Sequence, residues 1–371
     1  MDLIQIGIAA IMEIMADVGL EKFVVNLLIV LVFLKRGIKM RILAYHVQPY
    51  EEKAFVNWAK NNGIEVVLEK GLLSVDSVDK AKGFDGVTTQ QVIPVKDEEI
   101  FKKLKEYGVS QISSRTAGVD MFDGLLAKNY GVAITNVPRY SPNAIAELAV
   151  SHAMQLLRNV KHINSAMRNG DFTWNKDLIS REIRNCTVGI VGTGKIGLTA
   201  AKLFKGLGAK VIGYDKFINE EAKEVLEYKD TLDDLLKESD VVSLHLPLFD
   251  DTYHLINKEN IKLMKDDAIL VNTGRGALVN IDDVIEALES GKLFGAGIDV
   301  LECETMYVNQ KVDDEKIKGT VVEKLMSMDN VVLTGHFAFF TETAVDNLVS
   351  TSLDNIKNSV ETGKLQNCTN M

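Results

Sequence analysis

The sequence has few cysteines, no surplus of basic residues and no apolar run long enough to cross a membrane. Its three cysteines, Cys186, Cys303 and Cys368, lack CxxC spacing, which predicts a protein of the reducing cytoplasm without disulfides or a metal site. Acidic residues outnumber basic residues by 52 to 42, and the net charge is −10. This balance argues against nucleic acid and anionic membranes as partners and favours a small-molecule ligand.

The most apolar stretch, FVVNLLIVLVFL at Phe23–Leu34, is shorter than the roughly 18–20 residues that a membrane-spanning helix needs. It is not typical of a signal peptide, because the positive charges follow the apolar run. Met40 then opens MRILAYHV, which is typical of a first buried strand. We therefore interpret residues 1–39 as a translated leader, with a membrane anchor as the alternative.

The chain of 371 residues is long enough for two domains. From Met40 onwards, short aliphatic runs alternate with charged helical stretches, which predicts parallel sheets with βαβ crossovers. About five strands end near Val137, and a long helix follows, which we expect Ser141 to cap and Pro142 to begin.

A second series of six strands then runs from TVGIVG to VVLTGH, and a last amphipathic stretch follows it. We expect this stretch to return to the first domain. The predicted domains are therefore a discontinuous one, 40–140 with 339–371, and a continuous one, 141–338.

The segment TVGIVGTGKIG contains the spacing Gly192-x-Gly194-x-x-Gly197. It follows an apolar strand and opens a helix, and the next strand ends at Asp215, which is the context that a dinucleotide site requires. The glycines permit a tight turn and let the pyrophosphate approach the helix N terminus. Because Asp215 can bind the ribose and would repel a 2′-phosphate, NAD is the expected cofactor.

The ligand of an open parallel sheet lies beyond the carboxyl ends of its strands. Residues that follow the strands of the second series are therefore expected there: His245 with Pro247, Thr273 with Gly274 and Arg275, Asp299, Glu302 and Glu304, and His336.

A guanidinium, a carboxylate and an imidazole beside NAD indicate hydride transfer next to a carboxylate group. Arg275 can hold the substrate carboxylate, and His336 can exchange a proton with the reacting oxygen. A glutamate would favour the imidazolium, and Glu304 can play that part, but the residues alone do not separate it from Glu302. The alternative for His336 is a buried core histidine.

From Met40 onwards the chain resembles the D-isomer specific 2-hydroxyacid dehydrogenases of the D-lactate and D-2-hydroxyisocaproate branch. The resemblance rests on SRTAGVD, NVPRYSPNAIAELAV, VGIVGTGKIG, SLHLP, VNTGRGALV, GIDVLECE and HFAFFTETAV. It implies an α/β fold of two doubly wound parallel-sheet domains with a cleft between them. The discontinuous domain would be flavodoxin-like and bind substrate, and residues 141–338 would form the Rossmann NAD domain. Members are usually homodimers through the NAD domain.

The resemblance also implies individual roles. Catalysis falls on Arg275, His336 and Glu304, the second glutamate of LECE. The main-chain N–H groups of Ala117 and Gly118 would hold the substrate carboxylate. Tyr140 and Phe339 would also contact substrate, and the implied cofactor contacts, beyond the three glycines, are Lys195, Ile196, Asp215, His245, Leu246, Pro247, Thr273, Gly274, Arg275 and Asp299.

Three positions depart from the family pattern. Thr89 stands where D-lactate enzymes commonly have tyrosine, which predicts room for a larger substrate side chain. Gly335 replaces the usual proline before the catalytic histidine, and Phe337 replaces a small or polar residue after it.

The expected function is NAD-dependent reduction of a 2-oxoacid, such as pyruvate or 2-oxoisocaproate, to the D-2-hydroxyacid. A D-2-hydroxyglutarate or phosphoglycerate dehydrogenase is an alternative within the enzyme class. A non-catalytic NAD(H)-sensing scaffold is the alternative outside it.

Overall fold

The computed structural model describes residues 40–371, so the leader and anchor interpretations of 1–39 lie outside the described residues. In this part of the chain, no helix is both long and apolar enough to cross a membrane. The described chain divides into two compact units, 40–140 with 345–371, and 141–344.

The sheet of the first unit has five parallel strands in the order β2-β1-β3-β4-β5, as in flavodoxin-like folds. Side chains of β1 alternate between its two faces: Leu43 joins the core with Phe101 and Ile112, and Ile42 joins the core with Phe55. The elements, in chain order, are β1 (Arg41–Tyr45), α1 (Glu52–Asn62), β2 (Glu65–Leu68), β3 (Gly86–Thr89), α2 (Glu98–Glu106), β4 (Gln111–Ser114), α3 (Gly124–Asn129) and β5 (Ala133–Thr135).

The second unit begins with a long helix, Pro142–Leu157. Ser141 caps it by accepting a hydrogen bond from the N–H of Ala144 at 3.3 Å, and Pro142 occupies its first turn. The start expected from the sequence is therefore confirmed. The helices of this unit are α4 (Pro142–Leu157), α5 (Val160–Arg168), α6 (Lys195–Gly206), α7 (Leu232–Glu238), α8 (Lys258–Ile261), α9 (Ile281–Glu289), α10 (Asp314–Ile317) and α11 (Val321–Ser327).

The sheet of the second unit is fully parallel, with the order β12-β11-β10-β9-β6-β7-β8, which is the Rossmann order extended by one strand. Both predicted sheet types are thus confirmed. Strand β8 has only two residues, too few for a sequence pattern, and the six-strand expectation missed it. The strands are β6 (Thr187–Val191), β7 (Lys210–Tyr214), β8 (Glu227–Tyr228), β9 (Val241–Leu244), β10 (Ala268–Asn272), β11 (Leu293–Ile298) and β12 (Val331–Leu333).

The last helix, α12 (Glu342–Thr362), places most of its length in the first unit. Its residues Leu353 and Ile356 are fully buried in the core that contains β1. A Cβ on Gly86 of β3 would lie 2.4 Å from the Ile356 side chain, so glycine at this position lets the helix lie close to the sheet.

Candidate active site

A glycine-rich turn lies between β6 and α6, at the carboxyl edge of the second sheet. Gly192 has φ +92°, and a Cβ on it would lie 2.6 Å from the carbonyl oxygen of His245. A Cβ on Gly197 would lie 1.9 Å from the carbonyl oxygen of Gly192, so both positions require glycine. Gly194 adjoins open space at the start of α6. The turn therefore leaves room where a pyrophosphate binds.

Two buried polar atoms at the same edge have no hydrogen-bond partner within residues 40–371, namely Nδ1 of His245 and Oγ1 of Thr273. They follow β9 and β10. Burial lowers the pKa of His245 to about 4, so its ring is neutral near pH 7 and offers hydrogen bonds rather than a charge. Unpaired buried polar atoms are rare in native proteins, and these two fit a polar ligand such as NAD.

Asp215 follows β7, and its carboxylate is fixed by main-chain groups. Oδ2 accepts a hydrogen bond from the N–H of Thr193 at 2.6 Å, and Oδ1 accepts one from the N–H of Phe217 at 3.0 Å. Oδ2 also accepts a hydrogen bond from Oγ1 of Thr193 at 3.3 Å, so Oδ1 is the oxygen with a further lone pair for a ribose hydroxyl. The other predicted cofactor contacts lie at the same edge: Lys195 and Ile196 begin α6, Leu246 and Pro247 follow β9, and Gly274 follows β10.

Arg275 lies in the loop after β10. The buried side chain of Asn272 holds the backbone of this loop by two hydrogen bonds. Nδ2 of Asn272 donates to the carbonyl oxygen of Arg275 at 2.9 Å, and its Oδ1 accepts from the N–H of Gly274 at 3.1 Å. The guanidinium of Arg275 is exposed. Asn272 was not predicted from the sequence, although a buried asparagine at a strand end commonly bonds to the backbone.

Asp299 follows β11 and holds the loop that contains His336. Its Oδ1 accepts hydrogen bonds from the N–H of Phe337 at 2.9 Å and from Oγ1 of Thr334 at 2.5 Å. Oδ2 accepts from the N–H of Ala338 at 3.0 Å, and its carbonyl oxygen accepts from the N–H of His336 at 2.7 Å. The structure thus gives Asp299 a positioning task, and its contact with NAD stays a prediction.

His336 pairs with Glu304. Nδ1 of His336 lies 2.9 Å from Oε1 of Glu304, and their side chains are 34% and 24% exposed. His336 has φ +63°, which is unusual for a residue other than glycine and is common at functional sites. The ring of Phe339 meets the imidazole edge-on, with centroids 6.2 Å apart.

The surroundings of His336 raise its pKa above the ordinary value. Burial lowers the pKa, but the hydrogen bond and negative charge of Glu304 and the charge of Asp299 outweigh that effect, while Arg275 opposes them. The imidazolium is therefore favoured over a wider pH range than for a free histidine.

Glu302 has a different partner. Its Oε2 lies 3.1 Å from Nε2 of His254, and its Oε1 accepts a hydrogen bond from Oη of Tyr253 at 3.2 Å. The structure therefore separates the two glutamates, which the residues alone left open and of which the family resemblance implied Glu304. No signal in the sequence pointed to His254.

In the first unit, a polar loop follows β4. Among residues 40–371, no acceptor is bonded to the N–H groups of Ala117 and Gly118, the two predicted to bind carboxylate. Nearby, the carbonyl oxygen of Tyr140 accepts a hydrogen bond from Nδ2 of Asn347 at 2.6 Å. Thr89 is fully buried, and its hydroxyl bonds to Gln91 at 3.0 Å.

Of the two unusual residues beside His336, Phe337 is 59% exposed, and its ring packs edge-on against Phe340. A Cβ on Gly335 would meet only the Phe337 ring, at 3.6 Å. Nothing steric therefore requires glycine at position 335.

Comparison with known proteins places these features in a family. Residues 150–338 match the description "D-isomer specific 2-hydroxyacid dehydrogenase, NAD binding domain". The chain is 45% identical over 332 residues to a D-2-hydroxyacid dehydrogenase (NAD(+)) of Clostridioides difficile, covering 89% of this chain and 100% of the relative. The chain belongs to the D-isomer specific 2-hydroxyacid dehydrogenase family.

Solved structures agree with this membership. A D-lactate dehydrogenase with NAD+ from Lactobacillus jensenii has a TM-score of 0.85 and 40% identity, covering 90% of this chain and 100% of that one. A D-2-hydroxyisocaproate dehydrogenase has a TM-score of 0.84 and 37% identity, with the same coverage. The predicted family, fold class, enzyme class and NAD cofactor of this dehydrogenase are therefore confirmed. The roles of its individual residues stay predictions.

Proposed function

We propose that this dehydrogenase reduces a 2-oxoacid of the pyruvate or 2-oxoisocaproate type to the D-2-hydroxyacid with NADH. The observation that carries the proposal is the hydrogen bond between Nδ1 of His336 and Oε1 of Glu304. It occurs at the carboxyl edge of a Rossmann sheet, where the ligand of such a fold lies.

The pair fixes which atom of His336 exchanges the proton. A carboxylate can only accept, so Nδ1 donates to Glu304, and Nε2 makes no hydrogen bond to any residue that the structure describes. Bound NADH supplies the hydride in this chemistry. In reduction, Nε2 of the imidazolium gives its proton to the carbonyl oxygen, which becomes the hydroxyl; in oxidation, the neutral ring takes it back.

The substrate carboxylate needs donors of its own. We assign this task to the guanidinium of Arg275 and to the N–H groups of Ala117 and Gly118. The exposed fork of Arg275 supports it, because a guanidinium matches a carboxylate in bidentate geometry. The unpaired N–H groups of the loop in the first unit support it as well.

A panel of 2-oxoacids with NADH tests the proposal: pyruvate, 2-oxobutyrate, 2-oxoisocaproate, phenylpyruvate and 2-oxoglutarate. Loss of NADH absorbance gives kcat/KM for each, and chiral chromatography gives the configuration of the product. We expect turnover of monocarboxylic 2-oxoacids to the D product. An L product, or no turnover with any of the five, would refute the proposal. The ranking of pyruvate against 2-oxoisocaproate decides the substrate side chain.

We also propose that the protein is a homodimer through its second unit. Helix α5 has no buried residue, and the segment after it exposes Phe172, Trp174 and Ile179 at 69%, 102% and 76%. An apolar surface of this kind is typical of a protein interface. Light scattering after size exclusion tests it: Trp174→Asp should give monomer. Val56→Asp, at a 59% exposed apolar site on α1 of the first unit, should leave the dimer intact.

A cytoplasmic location completes the proposal. An enzyme that consumes NADH needs the pool of this cofactor inside the cell. Cell fractionation tests the location, with activity expected in the fraction free of membranes.

A further inference from the structure

The unpaired N–H groups in the first unit belong to a loop in which three successive residues, Thr116 to Gly118, have bonded carbonyl oxygens. The carbonyl oxygen of Thr116 accepts from the N–H of Val137 at 2.9 Å. That of Ala117 accepts from Nδ2 of Asn136 at 2.6 Å, and that of Gly118 accepts from Oγ1 of Thr116 at 2.5 Å. These three carbonyl groups are thus paired, while no acceptor among residues 40–371 is bonded to the N–H groups of the same peptides, which leaves them for a ligand.

This pairing orients the donors. In a planar trans peptide the carbonyl and the N–H of the next residue point in opposite directions. The bond from Asn136 to the carbonyl of Ala117 therefore sets the direction of the Gly118 N–H. It also polarises that peptide, which makes the N–H a stronger donor.

Asn136 is itself held firmly. Its N–H donates to the carbonyl oxygen of Asn367 at 3.1 Å, and its own carbonyl accepts from Nδ2 of Asn355 at 2.9 Å. Nδ2 of Asn367 in turn donates to Oδ1 of Asn355 at 2.9 Å, and Asn355 is 1% exposed. The side chain of Asn136 therefore presents its amide to Ala117 from a fixed backbone.

We infer that Asn136 is a positioning residue for carboxylate recognition, acting through the peptide between Ala117 and Gly118. Without its amide this peptide is free to flip, because the glycine that follows tolerates many conformations. A flipped peptide would present the Ala117 carbonyl oxygen to the substrate carboxylate, and the two would repel each other. The inference rests on the proposed function, because it concerns the same substrate group.

The side chain at position 136 must be a donor of this size. Asn136→Ala removes the donor, and Asn136→Asp keeps the shape but replaces it with a second acceptor facing the carbonyl. Because the carboxylate keeps its charge throughout the reaction, the lost interaction weakens the ground state and the transition state alike. Its loss therefore raises KM and leaves kcat nearly unchanged.

The experiment compares steady-state kinetics of the wild type, Asn136→Ala and Asn136→Asp with the best 2-oxoacid of the panel. Inhibition by oxamate, an unreactive 2-oxoacid analogue, is measured in parallel. We expect Asn136→Ala to raise both KM and the oxamate Ki about tenfold, and Asn136→Asp to raise them further, since one well-placed hydrogen bond to a charged group has about that effect. NADH binding, followed by fluorescence, should not change.

Asn370→Ala is the matched control. Asn370 also lies in the first unit and bonds main-chain groups, with Nδ2 donating to the carbonyls of Gly124 and Val132 at 3.1 Å. It should lower the thermal midpoint and leave KM and Ki unchanged. The inference is wrong if Asn136→Asp, folded by circular dichroism, keeps wild-type KM and Ki, or if Asn370→Ala shifts them equally. Failure of the proposed function would appear separately, as absence of wild-type turnover.

Discussion

Two histidine–glutamate pairs of the second unit have both glutamates on the loop after β11, and the pairs differ in their surroundings. Nδ1 of His336 lies 2.9 Å from Oε1 of Glu304, and Nε2 of His254 lies 3.1 Å from Oε2 of Glu302. Glu304 is 24% exposed and Glu302 is 49% exposed. The distance between the partners is nearly the same, so it does not explain which pair suits proton transfer.

The neighbours make the difference. His336 follows the buried strand β12 at the edge where the ligand lies, and Asp299 both holds its loop and adds a negative charge nearby. His254 instead stacks on Tyr253, with ring centroids 3.9 Å apart, and both side chains meet the more exposed carboxylate of Glu302. Position and nearby charge therefore favour the His336 pair as the proposed proton donor, whereas the His254 pair joins two loops.

The largest difference between the two pairs should appear in kcat when each imidazole is removed. His336→Ala should lower kcat for 2-oxoacid reduction about a thousandfold, because the general acid is lost. His254→Ala should keep wild-type kcat. Stopped-flow or steady-state NADH oxidation measures both, and NADH binding by fluorescence checks that the cofactor site survives. If His336→Ala kept most of the activity, the assignment of the proton donor would be wrong.

The glutamates should differ in the pH dependence. Glu304 raises the pKa of His336, and reduction needs the imidazolium, so the rate falls as pH rises through that raised pKa. Glu304→Gln removes the charge, so this alkaline limb should move to lower pH, with about a tenfold loss of kcat near neutral pH. Glu302→Gln should leave the profile in place. A limb at the same pH in all three proteins would show that Glu304 does not tune His336.

Gly276 packs against the backbone of the loop that contains both glutamates. A Cβ on Gly276 would lie 2.2 Å from the carbonyl carbon of Leu301 and 2.3 Å from the nitrogen of Glu302. Gly276→Ala should therefore displace the loop and lower the free energy of unfolding by about 1–3 kcal/mol in urea titrations. Gly335→Ala, where the added methyl group has space, is the control and should leave stability nearly unchanged or slightly raised. Equal losses would contradict this account.

The smallest effect should be the coupling free energy between His254 and Glu302, the more exposed pair. A double-mutant cycle of His254→Ala and Glu302→Ala should give a coupling free energy below about 1 kcal/mol, because solvent and salt screen such pairs. Unfolding in urea at low and high salt measures it. A larger coupling, insensitive to salt, would mean that this pair is structural in its own right.

Much of this molecule could be predicted from local pattern. The glycine turn was identified because Gly192 and Gly197 are set by the geometry of one strand–turn–helix unit. The cap at Ser141 and the first turn at Pro142 were predicted for the same local reason. Asn272, Asn136 and His254 were not singled out, because each acts through a partner that only the folded chain brings near.

The sequence by itself determined the two parallel sheets, the NAD fingerprint and the residues at the strand ends, because periodicity, turn chemistry and the alternation of strands with helices can be seen in short segments of the chain. Only the tertiary structure brings Glu304 rather than Glu302 to His336, the choice that the family resemblance had implied, and lets Asp299 hold the loop that contains His336. In LECE only Cys303 separates the two glutamates. Their partners lie on strands and loops far away in the chain, so only packing distinguishes them.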